Sequence, residues 1–192
     1  MLFKKNADYS YSKNNISEDT GWKVWYDWDV VKKHTKTINI ILTVILVICS
    51  FTLRKFLISN GILNLILSLI LALLVWLFIV IPVHEILHLV PYVGLNLNDK
   101  CVVTISKGAV SALYDGKTKR KTFLISLILP VLILSLVITP FLFFLSSLFR
   151  IFFFFLMILN VFGSYTDVYM VFYSIFNINK TDIMFGRYIY SS

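Results

Sequence analysis

The chain has 192 residues, of which 58% are hydrophobic and 15% are charged, and its mean hydropathy is +0.83. Soluble domains carry about 25% charged residues, so this chain cannot cover a water-facing surface and we expect the lipid bilayer to surround it. The net charge of +8 excludes little by itself, but the Lys and Arg residues lie between apolar runs. That arrangement indicates orientation in a membrane and no nucleic-acid partner.

The first 36 residues are polar and precede any apolar run, so no cleavable signal peptide is expected. Trp22, Trp25 and Trp28 follow one another at a spacing of three residues, which places them on one side of a helix. This spacing predicts an anchor at the membrane interface, with stacking on a ligand as the alternative. We therefore predict that residues 1–36 form a cytoplasmic or interfacial segment.

Four apolar runs follow; the first is slightly shorter than the roughly 20 residues that a helix needs to cross the hydrocarbon, and the other three are longer. They cover residues 37–53, 61–90, 122–149 and 151–176. The third run contains Pro130 and Pro140, which predict a kinked but single helix, because no Gly or charged residue follows Pro130 within the run to make a turn. We predict an all-α membrane protein with four transmembrane helices over residues 37–176 and a tail over residues 177–192.

The Lys and Arg residues indicate the orientation of these helices. Fifteen of them lie in three segments that share one side of the membrane, namely residues 1–36, 91–121 and 177–192, whereas Arg54, Lys55 and Arg150 lie on the other. By the positive-inside rule, we predict a multi-pass protein of the cell membrane with both termini and the 91–121 loop in the cytoplasm.

The 91–121 loop contains two short strand-like runs, Cys101–Ser106 and Ala109–Tyr114, separated by Lys107 and Gly108. This pattern predicts a small cytoplasmic β-hairpin. One interpretation is a simple connector between helices. The other is an edge strand beside the active site that pairs with an extended peptide substrate.

The second apolar run ends in the sequence IPVHEILH, in which His84, Glu85 and His88 match the pattern H-E-x-x-H. Residues four apart lie on one helical face, about 5–6 Å apart between Cβ atoms, so two imidazoles there can bind one zinc ion (Zn2+). Glu85 is offset from the histidines and is predicted to act as the general base on the attacking water. Pro82, which lacks an N–H, predicts a loosened helix before the motif, and Pro91 predicts its end.

A catalytic zinc needs a third protein ligand, and the fourth apolar run offers Asp167. An acid in such a run is costly unless it is paired, so we predict that Asp167 is a ligand, with a cap or counter-charge at the membrane boundary as the alternative. Asn160 lies two turns earlier on the same face and is predicted to contact a substrate carbonyl or a metal ligand. For the motif itself, the alternative is a hydrogen-bonded pair of histidines in a bundle with Glu85 as counter-charge.

Two groups of residues carry a resemblance to a known family: the sequence HEILH at 84–88, and later Asn160, Gly163, Ser164 and Asp167. In these residues the chain resembles the bacterial membrane proteins described as putative zincin peptidases and, more distantly, the site-2 protease type of intramembrane zinc metalloprotease. The resemblance covers about residues 60–176. The resemblance implies that His84, His88 and Asp167 are zinc ligands. It also implies that Glu85 is the general base and that Asn160 contacts the substrate.

Together these features predict a membrane-embedded zinc metalloprotease that hydrolyses peptide bonds of a membrane-associated peptide or protein. One alternative is a non-catalytic, zinc-stabilised membrane interaction or accessory protein. Another is a transporter, which would have inverted repeats and polar residues on several helices. The sequence has no visible repeat, and its polar intramembrane residues concentrate on two helices.

Overall fold

The structure of the protein is a computed structural model. It describes residues 2–5, 22–24, 61–94, 100–106, 109–145, 147–180, 182–185 and 188–190, together with positions 37, 40, 43, 44 and 47. The chain divides into two compact units. The first unit comprises Met1–Asp27, Pro82–Pro130 and Asp167–Ser192, and the second comprises Trp28–Ile81 and Val131–Thr166.

The HEILH motif lies on a long, continuous helical stretch of three parts. Helix α1 covers Ile62–Val75, a π-helical turn covers Trp76–Val80, and helix α2 covers Ile81–Val93. The N–H of Ile81 donates to the carbonyl of Trp76, five residues earlier, which is the π-helical spacing. The predicted loosening of the helix before Pro82 is therefore present as a wider turn, and such turns often occur at functional sites.

Helix α2 ends later than predicted. Pro91 was expected to mark its end, but the helix continues through Pro91 to Val93, so this prediction is wrong. A proline in the last turn removes only one backbone hydrogen bond, which the helix tolerates. The actual stop is Gly94, whose φ of 63° is left-handed and whose N–H donates to the Val90 carbonyl at 2.8 Å.

The predicted hairpin is confirmed with the predicted limits. Strand β3 covers Cys101–Ser106 and strand β4 covers Ala109–Tyr114, and they pair antiparallel from Cys101↔Tyr114 to Ser106↔Ala109. Strand β1, Leu2–Lys5, pairs parallel with β3, so the order in this sheet is β1-β3-β4 and β4 lies at an edge. Buried Cys101 and Val103 pack with Leu89 of α2, which holds the hairpin against the motif helix.

The structure also contains a second sheet, which the sequence did not predict. Its strands are β2 (Trp22–Val24), β5 (Thr118–Lys119), β6 (Ile183–Phe185) and β7 (Tyr188–Tyr190), in the order β2-β7-β6-β5. The mostly helical architecture and its hairpin are confirmed, whereas strand β1 beside the hairpin and the whole second sheet were not predicted. Strands of two or three residues are too short to show an alternating pattern. Trp22 lies in strand β2, so the helix predicted from the Trp spacing is wrong at this residue. Trp25 and Trp28 lie outside the described residues.

The third apolar run forms one helix, as predicted. Helix α3 covers Arg120–Phe144 and continues through Pro130 and Pro140. The fourth run differs from the prediction because it is broken at Ser164 into α4, Ser147–Gly163, and α5, Tyr165–Asn177. The Ser164 hydroxyl donates to the Asn160 carbonyl at 2.8 Å, and such side-chain bonds to the preceding turn often bend helices.

Within the second unit, α1 packs on α4. Ser68 and Ala72 of α1 are buried, and these small side chains let the neighbouring helix approach closely. The Trp76 indole lies against Gly163, where an added Cβ would be 3.0 Å from a ring carbon.

By length and composition, two helical stretches can cross a membrane, Ile62–Val93 and Arg120–Phe144. A third is present if the pair Phe149–Gly163 and Tyr165–Asn177, bent by about 40°, forms one span. The predicted first span, 37–53, lies largely outside the described residues. Four spans, the cytoplasmic side and the segment limits 1–36, 37–176 and 177–192 therefore stay predictions.

Replacing Gly94 by Ala is expected to destabilise the protein by about 1 kcal/mol, because a Cβ disfavours the left-handed backbone that ends α2. Among the residues that the structure describes, no atom lies within 4 Å of the added Cβ, so the expected loss comes from backbone strain. Thermal unfolding of the full chain in one detergent measures the loss. Gly94→Asn serves as the control, since Asn tolerates this conformation and should lose less. Equal midpoints for wild type and Gly94→Ala would contradict the assignment of Gly94 as the stop.

Candidate metal centre

Helix α2 presents two imidazoles on one face. His84 and His88 are one turn apart, and their ring centroids are 4.8 Å apart with the rings nearly perpendicular. Both side chains are largely buried, with 11% and 12% of their surfaces exposed. The rings are therefore shielded from bulk water while their nitrogens face a shared space.

The carboxylate of Asp167 reaches both rings. Its Oδ2 lies 3.0 Å from Nε2 of His84 and 3.6 Å from Nε2 of His88. The helix break at Ser164 places Asp167 in the first turn of α5, where the positive end of the helix dipole favours a carboxylate. A residue 79 positions after His88 thus completes a three-sided cluster within the first unit.

These separations fit a metal ion. Two donor atoms bound at about 2.0–2.1 Å to a tetrahedral zinc ion lie roughly 3.3 Å apart. The two observed Nε2–Oδ2 distances lie on either side of that value. Potential donor atoms of His84, Glu85 and His88 also lie within 4.8 Å of one another. Two imidazoles and one carboxylate form a donor set that suits zinc and leaves a fourth position open.

Glu85 is held by the edge strand β4. Its Oε2 accepts the backbone N–H of Ala112 at 2.8 Å. This bond fixes one carboxylate oxygen beside the imidazoles, and it places the outer edge of β4 next to the motif. Ala112 was not predicted as part of the site, and its side chain gives no signal because the contact comes from its backbone.

His88 is oriented by helix α3. Its Nδ1 lies 2.8 Å from the carbonyl oxygen of Ser126. A carbonyl oxygen can only accept, so Nδ1 carries a hydrogen, and in the neutral ring Nε2 then keeps the lone pair that a metal needs. The Ser126 hydroxyl donates to the Phe123 carbonyl at 2.8 Å, so the Tyr92 hydroxyl, also 2.8 Å from that oxygen, is the donor to it. Neither Ser126 nor Tyr92 was predicted as part of the site.

The Tyr92 ring also connects the motif helix with the hairpin. It stacks on Tyr114 at the end of β4, with ring centroids 4.6 Å apart and planes 2° from parallel. Helix α2 therefore contacts β4 at two places, through Glu85 and through Tyr92. Two contacts on one strand restrict its rotation beside the motif.

The fifth predicted residue, Asn160, lies in the second unit, whereas the other four lie in the first. Its side chain is 1% exposed, and Nδ2 donates to the Ser135 hydroxyl at 3.3 Å. Its Oδ1 is buried and has no hydrogen-bond partner among the described residues. An unsatisfied buried acceptor is unusual and needs an explanation. The role of Asn160 in substrate binding stays a prediction, as do the roles of the other four residues.

Comparison with family models matches residues 77–181, more than half of the chain, to a family described as "Putative zincin peptidase". The matched region contains the motif, the hairpin and Asp167. No curated protein and no solved structure gives a match. The resemblance to site-2 proteases is not part of these findings and stays a prediction.

Asp167→Asn should weaken zinc binding more than about 100-fold, because even residues that only support a ligand contribute 10–100-fold. Competition between the purified full-length chain and a zinc chelator measures this change. Asp115→Asn is the matched control, since that carboxylate follows β4 and lies outside the cluster. Equal affinity for wild type and Asp167→Asn would exclude Asp167 as a ligand.

Proposed function

Because the chain belongs to the Putative zincin peptidase family, we propose that it is a membrane-embedded zinc metalloprotease. Its substrate would be a membrane-associated peptide or protein. The observation that carries the proposal is the position of Asp167, whose Oδ2 lies 3.0 and 3.6 Å from the two imidazoles of the HEILH motif. His84, His88 and Asp167 would hold the ion.

When bound, zinc would polarise the scissile carbonyl and lower the pKa of water to about 7. The residues of the chain supply the rest of the reaction. Glu85 takes a proton from the attacking water as the bond to the carbonyl carbon forms. It then transfers that proton to the leaving amine as the C–N bond breaks. The hydrogen bond from Ala112 holds its carboxylate beside the imidazoles.

Strand β4 supplies a means to hold an extended peptide. The Asp115 N–H donates to the Lys100 carbonyl at 2.7 Å, so odd-numbered residues here direct their backbone groups toward β3. Even-numbered residues then direct theirs outward, as the Ala112 bond to Glu85 illustrates. No other described strand pairs with this edge. An extended peptide added to the edge would run beside the base and the imidazoles.

The membrane suits this chemistry. His84 lies nine residues before the end of the candidate span Ile62–Val93, about 14 Å along the helix axis. The 32-residue stretch is about 48 Å long, whereas the hydrocarbon core is about 30 Å thick, so its ends project beyond that core. A site about 14 Å from one end is therefore near one surface of the bilayer, which we propose to be the cytoplasmic side. Substrates would be peptide segments within or next to the bilayer, with lipid as the surrounding partner and no role for nucleic acid.

A second candidate is a non-catalytic accessory protein stabilised by zinc. The observation in its favour is that the Glu85 carboxylate already accepts a backbone hydrogen bond, which is also how a purely structural acid would be held. Both candidates require zinc binding, and only the protease requires Glu85 for cleavage.

Glu85→Gln is expected to bind zinc with wild-type affinity and to cleave about 10²–10⁴-fold more slowly, because the amide cannot accept a proton. Membrane peptides from cells that produce wild type or the variant are compared by mass spectrometry. Cells producing Asp115→Asn provide the matched control and should resemble wild type. Identical peptide patterns for wild type and Glu85→Gln, with zinc bound in both, would remove Glu85 as the base and favour the accessory protein.

Val110→Pro tests the edge strand. The Val110 N–H points outward, so proline there removes a donor for the peptide but no bond to β3, and an edge position tolerates it. Cleavage of the peptides found above should fall about fivefold to tenfold, the effect of one hydrogen bond. Zinc affinity should not change. Val110→Ala keeps the N–H and is the control, and equal cleavage by both variants would argue against peptide pairing with β4.

A further inference from the structure

The acceptor that orients His88 is a backbone carbonyl inside a continuous helix. Ser126 belongs to α3, which runs without a break from Arg120 to Phe144. In such a helix the carbonyl of each residue normally accepts the N–H four residues later. A carbonyl in this position has limited capacity for a further strong bond, so its use by an imidazole needs a cause.

The cause is the residue four positions after Ser126, which is Pro130. Proline has no N–H, so the Ser126 carbonyl lacks its usual helical partner. That carbonyl accepts the Nδ1–H of His88 at 2.8 Å instead. Pro130 is fully buried, so bulk water does not replace the missing donor there. One residue therefore creates a fixed acceptor at the position that the imidazole needs.

We infer that Pro130 is a positioning residue of the metal site, because it frees the Ser126 carbonyl to hold His88 with Nε2 toward the cluster. The inference rests on the proposed role of His88 as a metal ligand. A backbone acceptor has no rotamers, so it orients the ring more rigidly than a side chain would. An imidazole N–H in an apolar segment also needs a partner, which this carbonyl provides.

Pro140 of the same helix provides a natural comparison. It frees the carbonyl of Leu136 by the same mechanism, but Pro140 and Leu136 both lie on the exposed surface of a helix that can cross a membrane. Leu136 makes none of the described contacts with the cluster. If proline only affects the helix in general, replacing Pro130 or Pro140 should have similar effects. If Pro130 acts through His88, only the replacement of Pro130 should change the metal site.

The test uses Pro130→Ala and Pro130→Val in the full chain, with Pro140→Ala as the control. Alanine is smaller than proline and valine is larger, so an effect of packing would give different results for the two variants. Both variants restore a backbone N–H at position 130, so in both of them this N–H competes with His88 for the Ser126 carbonyl. Helix propensity improves in each, and a purely structural role for Pro130 predicts unchanged or tighter zinc binding.

The first measurement is nitrogen NMR of the zinc-free protein in detergent with labelled histidine. The chain has three histidines, and His88→Ala assigns the signal of His88. In wild type and Pro140→Ala, most of the His88 rings should carry their hydrogen on Nδ1. In both Pro130 variants, the fraction of His88 rings in this form should fall. An unchanged fraction in the Pro130 variants would overturn the inference, whether or not the wild-type chain binds zinc.

The second measurement is zinc affinity by chelator competition. Both Pro130 variants should bind about 10–100-fold more weakly than wild type, which is the usual effect of losing the partner of a ligand histidine. Pro140→Ala should match wild type. Equal loss in Pro140→Ala, or no loss in the Pro130 variants, would overturn the inference. Failure of the wild-type chain to bind zinc would instead contradict the proposed function, while the NMR result still decides the role of Pro130.

Discussion

The structure depends on one interaction, the approach of the Asp167 carboxylate to the imidazoles of His84 and His88. An acid in an apolar helix is costly, and so are two imidazoles at the end of another, unless these groups satisfy one another. Their separations of 3.0 and 3.6 Å meet this requirement and suit a shared divalent ion. The break in the helix at Ser164 serves the same interaction because it begins α5 just before Asp167.

Two further elements hold the motif helix in its orientation. Helix α3 accepts a hydrogen bond from His88 through the Ser126 carbonyl, and strand β4 donates one to Glu85 through Ala112. Both contacts use backbone atoms, which are positioned by the helix and the sheet themselves. A site built in this way needs few specialised side chains, and most of its precision comes from the packing of α2 against the hairpin and α3.

The sequence predicted the features that have strong local signals. The HEILH spacing, the isolated Asp167 and the two strand-like runs on either side of Lys107 and Gly108 each belong to a short segment. The structure brings His84, Glu85, His88 and Asp167 together. Sequence reasoning missed features that depend on other segments. Strands β5 to β7 are only two or three residues long, and the role of Ser126 comes from its carbonyl, which every residue possesses. The break at Ser164 had a local signal that was not used, because Gly163 and Ser164 are adjacent and such pairs often kink a helix.

The central claim is that one zinc ion is bound by two imidazoles and one carboxylate. X-ray absorption at the zinc edge of the purified full-length chain tests it most directly. The account predicts one zinc per chain, with only nitrogen and oxygen neighbours at about 2.0–2.2 Å and a scattering pattern of two imidazoles. A shell of sulfur at about 2.3 Å, a single imidazole, or no bound zinc would contradict it.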